Sequence, residues 1–215
     1  MLLDAVEWVG HSGFRIAIGA ATVYIDPYRV SAEAAPADLI LVTHGHYDHF
    51  SPRDVDLLAG PRTLLVGPAH VVELARGNVA SLAPGETIEP EITPGLAVTG
   101  VAAYNTSKLR PGGEPFHTRE AGGLGYDLHF EGRRVYHAGD TDVIPEMDAV
   151  AGADLALLPV SGTYVMTAAE AAEAARRIAP ALAVPMHWGE HIGTRADAEK
   201  FASLAPCPVE ILECA

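Results

Sequence analysis

The sequence predicts an α+β protein in which two β-sheets pack face to face with helices outside. Short β-like runs and a few helical segments recur in two successive halves, with no linker or low-complexity stretch between them. Continuous apolar runs, at 39–43 (L-I-L-V-T) and Leu155–Pro159, read as strands buried on both faces. The 215 residues are 49% hydrophobic, which suits one cored domain over 1–215.

Residues 5–9, 14–18 and 22–25 are separated by Gly-Ser and Gly-Ala-Ala turns and predict a meander. After the buried run 39–43, Pro52–Leu58 predicts a helix with Ser51 as N-cap and Pro52 at its first position. A strand over 63–66, a short helix near 69–76 and a strand over 96–103 follow. Residues 104–123 are polar and rich in Gly and Pro, and form the longest loop. The second half opens on a hairpin, Leu124–Phe130 and 134–137, turning at Glu131-Gly132-Arg133. Thr167 starts a helix to Ile178, with Glu170 completing a capping box. A strand over 181–185, a helix over Arg195–Leu204 and a last strand over 209–212 end the chain.

Charge and composition narrow the function. Lys plus Arg number 14 against 28 Asp plus Glu, a net charge of −14, and no basic cluster stands out. That balance argues against nucleic acid as a partner. Cys207 and Cys214 make no C-x-x-C pair and no disulfide framework, as in a reducing compartment. The first ten residues carry Asp4 and Glu7 and no basic leader, and no apolar run is long enough to span a membrane. A cytoplasmic location is expected.

The densest chemical signal is Thr43-His44-Gly45-His46-Tyr47-Asp48-His49, directly after a buried strand. Imidazole and carboxylate together suit Zn, Mn or Fe ions. A strand end followed by a tight loop aims several donors at one place, and Gly45 permits the turn. Three sparser elements also stand at strand ends: Asp26 in Ile25-Asp26-Pro27, Asp140 in Gly139-Asp140-Thr141, and His187 in Pro185-Met186-His187. Each alone reads as a turn former, but together they place metal-capable groups where one site can be assembled.

In these ordered motifs the sequence resembles the metallo-β-lactamase superfamily. The H-x-H-x-D-H block (His44, His46, Asp48, His49), the G-D-T block and His187 carry the resemblance, which covers almost the whole chain. Gly10-His11-Ser12 and Asp26-Pro27 resemble the small metal-dependent hydrolases of that superfamily, among them the ascorbate-6-phosphate lactonase group. The resemblance implies an αββα sandwich of two mixed β-sheets. It also implies one or two divalent transition metal ions, Zn first with Mn or Fe as alternatives. His44 and His46 would bind the first ion, Asp48, His49 and His187 the second, with Asp140 bridging.

The family's further histidine for the first ion has no counterpart at Tyr104-Asn105. Either Asn105 or His117, from the long loop, fills the place, and imidazole is the better donor. His70 is expected on a helix surface, His129 in a strand and His191 at the rim. His11 reads equally as a turn residue or as lining the pocket. Asp26 is the candidate to accept the second N–H of a ligating imidazole. Asp48 would orient the attacking water and take up its proton. Lys108, Arg110, His117 and Arg119 on the loop could meet an anionic group.

The expected activity is hydrolysis of a small polar or anionic ester, lactone or phosphoester. A nuclease related to the tRNA 3′-processing endonucleases is the second reading. The acidic balance, the lack of a substrate-gripping arm and the short stretch after His187 tell against it. The third is a metal-binding protein without hydrolase activity, against which Asp48 stands. Oligomeric state is left open.

Overall fold

A computed structural model describes residues 2–189 and 192–215. Two six-stranded mixed sheets pack against each other, with helices on their outer faces. The first sheet runs in chain order: β1 (Val6–Gly10), β2 (Gly13–Ile18), β3 (Ala21–Ile25), β4 (Ala37–Leu41), β5 (Ala59–Gly67) and β6 (Asn78–Ser81). Its first three strands are antiparallel and the rest join in parallel. The second sheet repeats the scheme with β7 (Thr87–Ile88), β8 (Ala97–Ala102), β9 (Leu124–Phe130), β10 (Arg133–His137), β11 (Leu155–Pro159) and β12 (Leu182–Met186). Here too antiparallel pairs come first, and β10–β11 and β11–β12 are parallel.

The facing sides supply one large core. Phe14, Ile16, Val23, Leu39, Tyr126 and Leu157 are fully buried in it. β11 is buried at all five positions, as its unbroken apolar run requires, because the helices behind it cover its other face. α3 (Ala168–Ile178) turns five alanines and Ile178 inward; small side chains let its backbone lie close to the sheet. Thr167 and Glu170 form the expected capping box. α4 (Arg195–Leu204) buries Ala198 and Phe201. On the first sheet, α1 (Pro52–Leu58) covers a smaller cluster with Val55 and Leu58, and Ser51 caps it through the Asp54 N–H. Trp8 and Trp188 stack with ring centroids 4.6 Å apart and join the two halves.

The structure corrects several expectations. Residues 209–212 make no strand; Val209 forms one bridge to Ala183 and the chain then leaves the sheet. The helix expected near 69–76 is a single turn, α2 (Ala69–Val72), whose N-cap Pro68 has no side chain able to cap it. β6 and β7 were not foreseen, being short edge strands with few buried residues. No helix among the described residues is long and apolar enough to cross a membrane.

Candidate metal centre

Apart from His117, which the long loop between β8 and β9 carries in, the predicted donors sit just past strand ends, along one edge of the sandwich. Asp26 follows β3, the 44–49 loop follows β4, Asp140 follows β10 and His187 follows β12. The β1–β2 turn brings His11 to the same edge. Backbone geometry there is unusual: His11, Asp26 and His187 have φ of 51°, 45° and 58°, the left-handed region that non-glycine residues rarely occupy. Gly139 (φ 65°) is obligatory before Asp140, because a Cβ there would meet the Leu124 carbonyl oxygen at 2.4 Å. Gly45, expected to permit a turn, is not in the left-handed region. It makes room instead: a Cβ would approach the His70 ring to 3.2 Å.

Two donor sets flank Asp140. The Nε2 of His44 and Nδ1 of His46 are 2.9 Å apart, and His117 Nε2 is 3.2 Å from the same His46 atom. On the other side His49 Nε2 and His187 Nε2 lie 3.3 and 3.2 Å from the Asp140 carboxylate, and Asp48 Oδ2 lies 3.9 Å from His49 Nε2. The ligating atoms of His44, His46 and His117 lie within 4.8 Å of one another, as do those of His11, Asp48, His49 and His187. The Asp140 carboxylate is also 3.5 Å from His117 Nε2 and 4.0 Å from His44 Nε2.

Hydrogen bonds behind these rings fix their tautomers. Asp26 accepts from the Thr43 hydroxyl and from His49 Nδ1, both at 2.6 Å, and from the Thr43 N–H at 2.7 Å. Since the hydroxyl proton goes to Asp26, His44 Nδ1 donates to Thr43 Oγ1 (3.0 Å). Ser161 Oγ donates to the Thr163 carbonyl and accepts from His187 Nδ1. Asn105 spends its amide N–H groups on Asp142 and the Tyr164 carbonyl, so its oxygen accepts from His117 Nδ1 (2.8 Å) and the His117 N–H (3.0 Å). His44, His117 and His187 thus present a bare Nε2 to the centre, while His49 aims its Nε2 at the Asp140 carboxylate.

The electrostatics separate His49 from the His44–His46–His117 set. Burial holds the His44 imidazole well below its ordinary value and drives His117 to about 4, against the pull of Asp140. His46 is likewise lowered by burial. Burial opposes charge on His49 too, but Asp140 and Asp26 outweigh it and hold the ring well above 6.5. Burial pushes the Asp140 carboxyl up, yet His187 and His49 keep it well below the carboxylate range.

The residues present fit a bound cation. His49 Nε2, His187 Nε2 and Asp140 Oδ1 are buried and make no hydrogen bond, although they face one another. Such orphaned atoms are costly unless something occupies the space between them. Nitrogens on a tetrahedral ion at about 2.0–2.1 Å sit roughly 3.3 Å apart, close to the spacings within the His44–His46–His117 set.

Residues 5–187 match the family model described as a beta-lactamase superfamily domain. The chain belongs to the β-lactamase superfamily. A UPF0173 metal-dependent hydrolase of Methanopyrus kandleri is 35% identical over 91% of this chain and 89% of its own length. Another, from Thermoplasma acidophilum, is 34% identical over 93% and 90%. A crystal structure from Parabacteroides distasonis superposes with a TM-score of 0.83 at 29% identity, covering 98% of this chain and 93% of that one. Igni18 of Ignicoccus hospitalis, described as a metallo hydrolase, shares the fold at TM-score 0.77 and 22% identity, over 98% and 95%. This superfamily member is, with its curated relatives, a metal-dependent hydrolase.

Other sequence expectations divide. His11 is fully buried, donates from Nε2 to Asp48 Oδ2 at 3.1 Å and packs against the His187 ring at 4.2 Å with the planes tilted by 45°, so it lines the site. Its place in the β1–β2 turn carried no ligand signal in the sequence. His70, expected on a helix surface, is on α2 but lines a cavity beside His44 and His46. His129 is in β9, exposed and paired with Asp127. His191 lies outside the described residues. Of the loop cations, Lys108 is held by Glu170 and Asp142, and Arg119 by Glu146. Neither faces the centre; Arg110 lines a cavity with Asp48 and Asp140. Ser161, behind His187, had no signal in the sequence.

Proposed function

We propose that this domain holds two divalent transition ions, Zn first with Mn or Fe as alternatives, and hydrolyses an ester, lactone or phosphoester bond in a small molecule. The first ion would rest on His44, His46 and His117, the second on Asp48, His49 and His187, with Asp140 between them. The carrying observation is that one carboxylate, Asp140, faces bare imidazole nitrogens from both sets. Ions held there would supply Lewis acidity and a water acidified to near pH 7.

The chain's own residues do the rest. Asp140 and the depressed imidazoles offer lone pairs without first losing a proton at neutral pH. Burial raises the Asp48 carboxyl, but the His11 hydrogen bond and His49 bring it down to about 2. Held by His11, Asp48 would orient the water and take up its proton. The relatives reported above are named only as metal-dependent hydrolases, and the lactonase likeness therefore rests on sequence motifs alone. Lys108 and Arg119 are held by carboxylates, and among the described residues Arg110 is the one Lys or Arg lining the cavities at the centre, so a small-molecule partner is the better reading than nucleic acid. Cys207 and Cys214, which form no disulfide, suit a cytoplasmic setting.

The test is metal quantitation on protein purified without added metal, followed by a screen of esters, lactones and phosphodiesters. Asp140→Asn should lower kcat/KM at least about 100-fold with an unchanged circular dichroism spectrum. Full metal content without turnover of any substrate class would favour the non-hydrolytic reading.

A further inference from the structure

Two cavities meet at the metal centre and differ in character. The first, about 320 Å³, adjoins the imidazoles of His44, His46 and His117. Leu74, Ala103, Phe116, Ala121 and Leu124 make up most of the rest of its wall, with His70 and Thr118 beside them, and Asp140 is its only carboxylate among the described residues. Leu74 is 67% exposed, an apolar side chain left in water at the cavity wall. The second, about 280 Å³, holds Asp48, Arg110, Tyr47 and Tyr164. His46, Phe116, His117 and Asp140 line both, and so form the partition between them.

A bond cleaved above Asp140 therefore has unlike surroundings on its two sides. On one side a substrate group meets hydrocarbon and imidazole edges, with no Lys or Arg among the described lining to hold a phosphate or carboxylate. On the other it meets a guanidinium and phenols. Cavities of about 300 Å³ and above hold small-molecule groups, and apolar walls select by burial.

We propose that the substrate carries an uncharged apolar arm, a short acyl or alkyl chain, which sits in the Leu74–Phe116–Leu124 cavity while its polar remainder faces Arg110. This rests on the hydrolase reading above and narrows it from polar substrates in general to amphiphilic ones. For a carboxylic ester of this kind, water adds its oxygen to the acyl carbon, the acyl C–O bond breaks, and a proton goes to the departing alcohol.

Two measurements separate the arm from the chemistry. Protein labelled at its methyl groups is titrated with 1-propanol, 1-pentanol and 1-heptanol and followed by NMR, with and without zinc. Zinc-loaded protein is assayed on p-nitrophenyl acetate, butyrate and hexanoate. Alcohol affinity is expected to rise roughly three- to fourfold per methylene, with shifts centred on Leu74, Ala103, Ala121 and Leu124, and ester kcat/KM to rise in step. Leu74→Glu, at an exposed position that should not disturb folding, should flatten both series. An alcohol series without chain-length dependence, or with shifts away from these methyls, overturns the apolar arm even if esters are turned over. A rising alcohol series with no ester hydrolysed supports the arm and sinks the ester chemistry instead.

Discussion

The carboxamide oxygen of Asn105 accepts the Nδ1–H of His117 at 2.8 Å, so the asparagine orients the imidazole and leaves Nε2 bare. The two residues that competed in the sequence for one ligand position thus act in series. Asn105 itself is held by Asp142, whose second oxygen accepts the backbone N–H groups of Thr106 and Ser107. Asn105→Ala should weaken zinc at the His44–His46–His117 set by about 10- to 100-fold, and His117→Ala by more. Competition with a chromophoric chelator measures both. Equal affinities for Asn105→Ala and the parent would show that loop packing alone aims the ring.

Asp26 is fully buried and accepts three hydrogen bonds, from His49 and Thr43. Asp26→Ala leaves a buried imidazole and hydroxyl unmatched and should cost about 3–5 kcal/mol. Urea unfolding of metal-free protein checks this. A loss under 1 kcal/mol would mean that water replaces the carboxylate.

Stripping the ions should uncover the orphaned nitrogens of His49 and His187 beside Asp140. At a metal concentration a hundred times Kd, the bound ion adds about 2.7 kcal/mol to stability. For a chain of this length that corresponds to roughly 5–11 °C in Tm. Differential scanning calorimetry with chelator, then with added zinc, should show a reversible drop of that size. An unchanged Tm would argue that the centre binds no ion tightly.

Glu170 closes the α3 capping box and pairs with Lys108 at 2.7 Å, pinning the long loop to the helix. Thr167→Ala should cost about 1 kcal/mol. Burial raises the Glu170 carboxyl, but Lys108 and the Thr167 N–H outweigh it and bring it below 4.5. A depressed carboxylate contributes stability above its unfolded value that is lost as pH falls through the folded one. The stability gap between parent and Glu170→Gln should therefore be present at pH 6 and shrink as pH drops below about 4.5. A gap independent of pH would assign the effect to helix capping alone.

Much of the fold was legible because its strongest signals are local. The five-residue apolar run of β11 needs both faces covered, and the Thr167–Glu170 pair marks a helix start whatever lies around it. β6 and the course of residues 209–212 were not legible, since edge strands are decided by what lies beside them. At the site the dense 44–49 loop announced itself. His11 stood evenly between a turn and a pocket-lining role, because the choice depends on closing against His187, whose backbone N–H donates to the His11 carbonyl at 2.8 Å. Whether Lys108 and Arg119 could meet an anionic group was open in the sequence, because their partners, Glu170 and Glu146, are distant along the chain.

The donors enter the site from well-separated points, beginning at His11 and ending at His187. A ribosome therefore delivers the three histidines of the 44–49 loop long before it has made Asp140 or His187. In that interval the nascent chain carries part of the donor set, without the Asp140 carboxylate and with no second sheet to shield it. The strand ends converge only once β10 and β12 are in place, and such long-range pairing is slow compared with local folding. Assembly of the full donor set is thus a last step of folding, timed by closure of the sandwich.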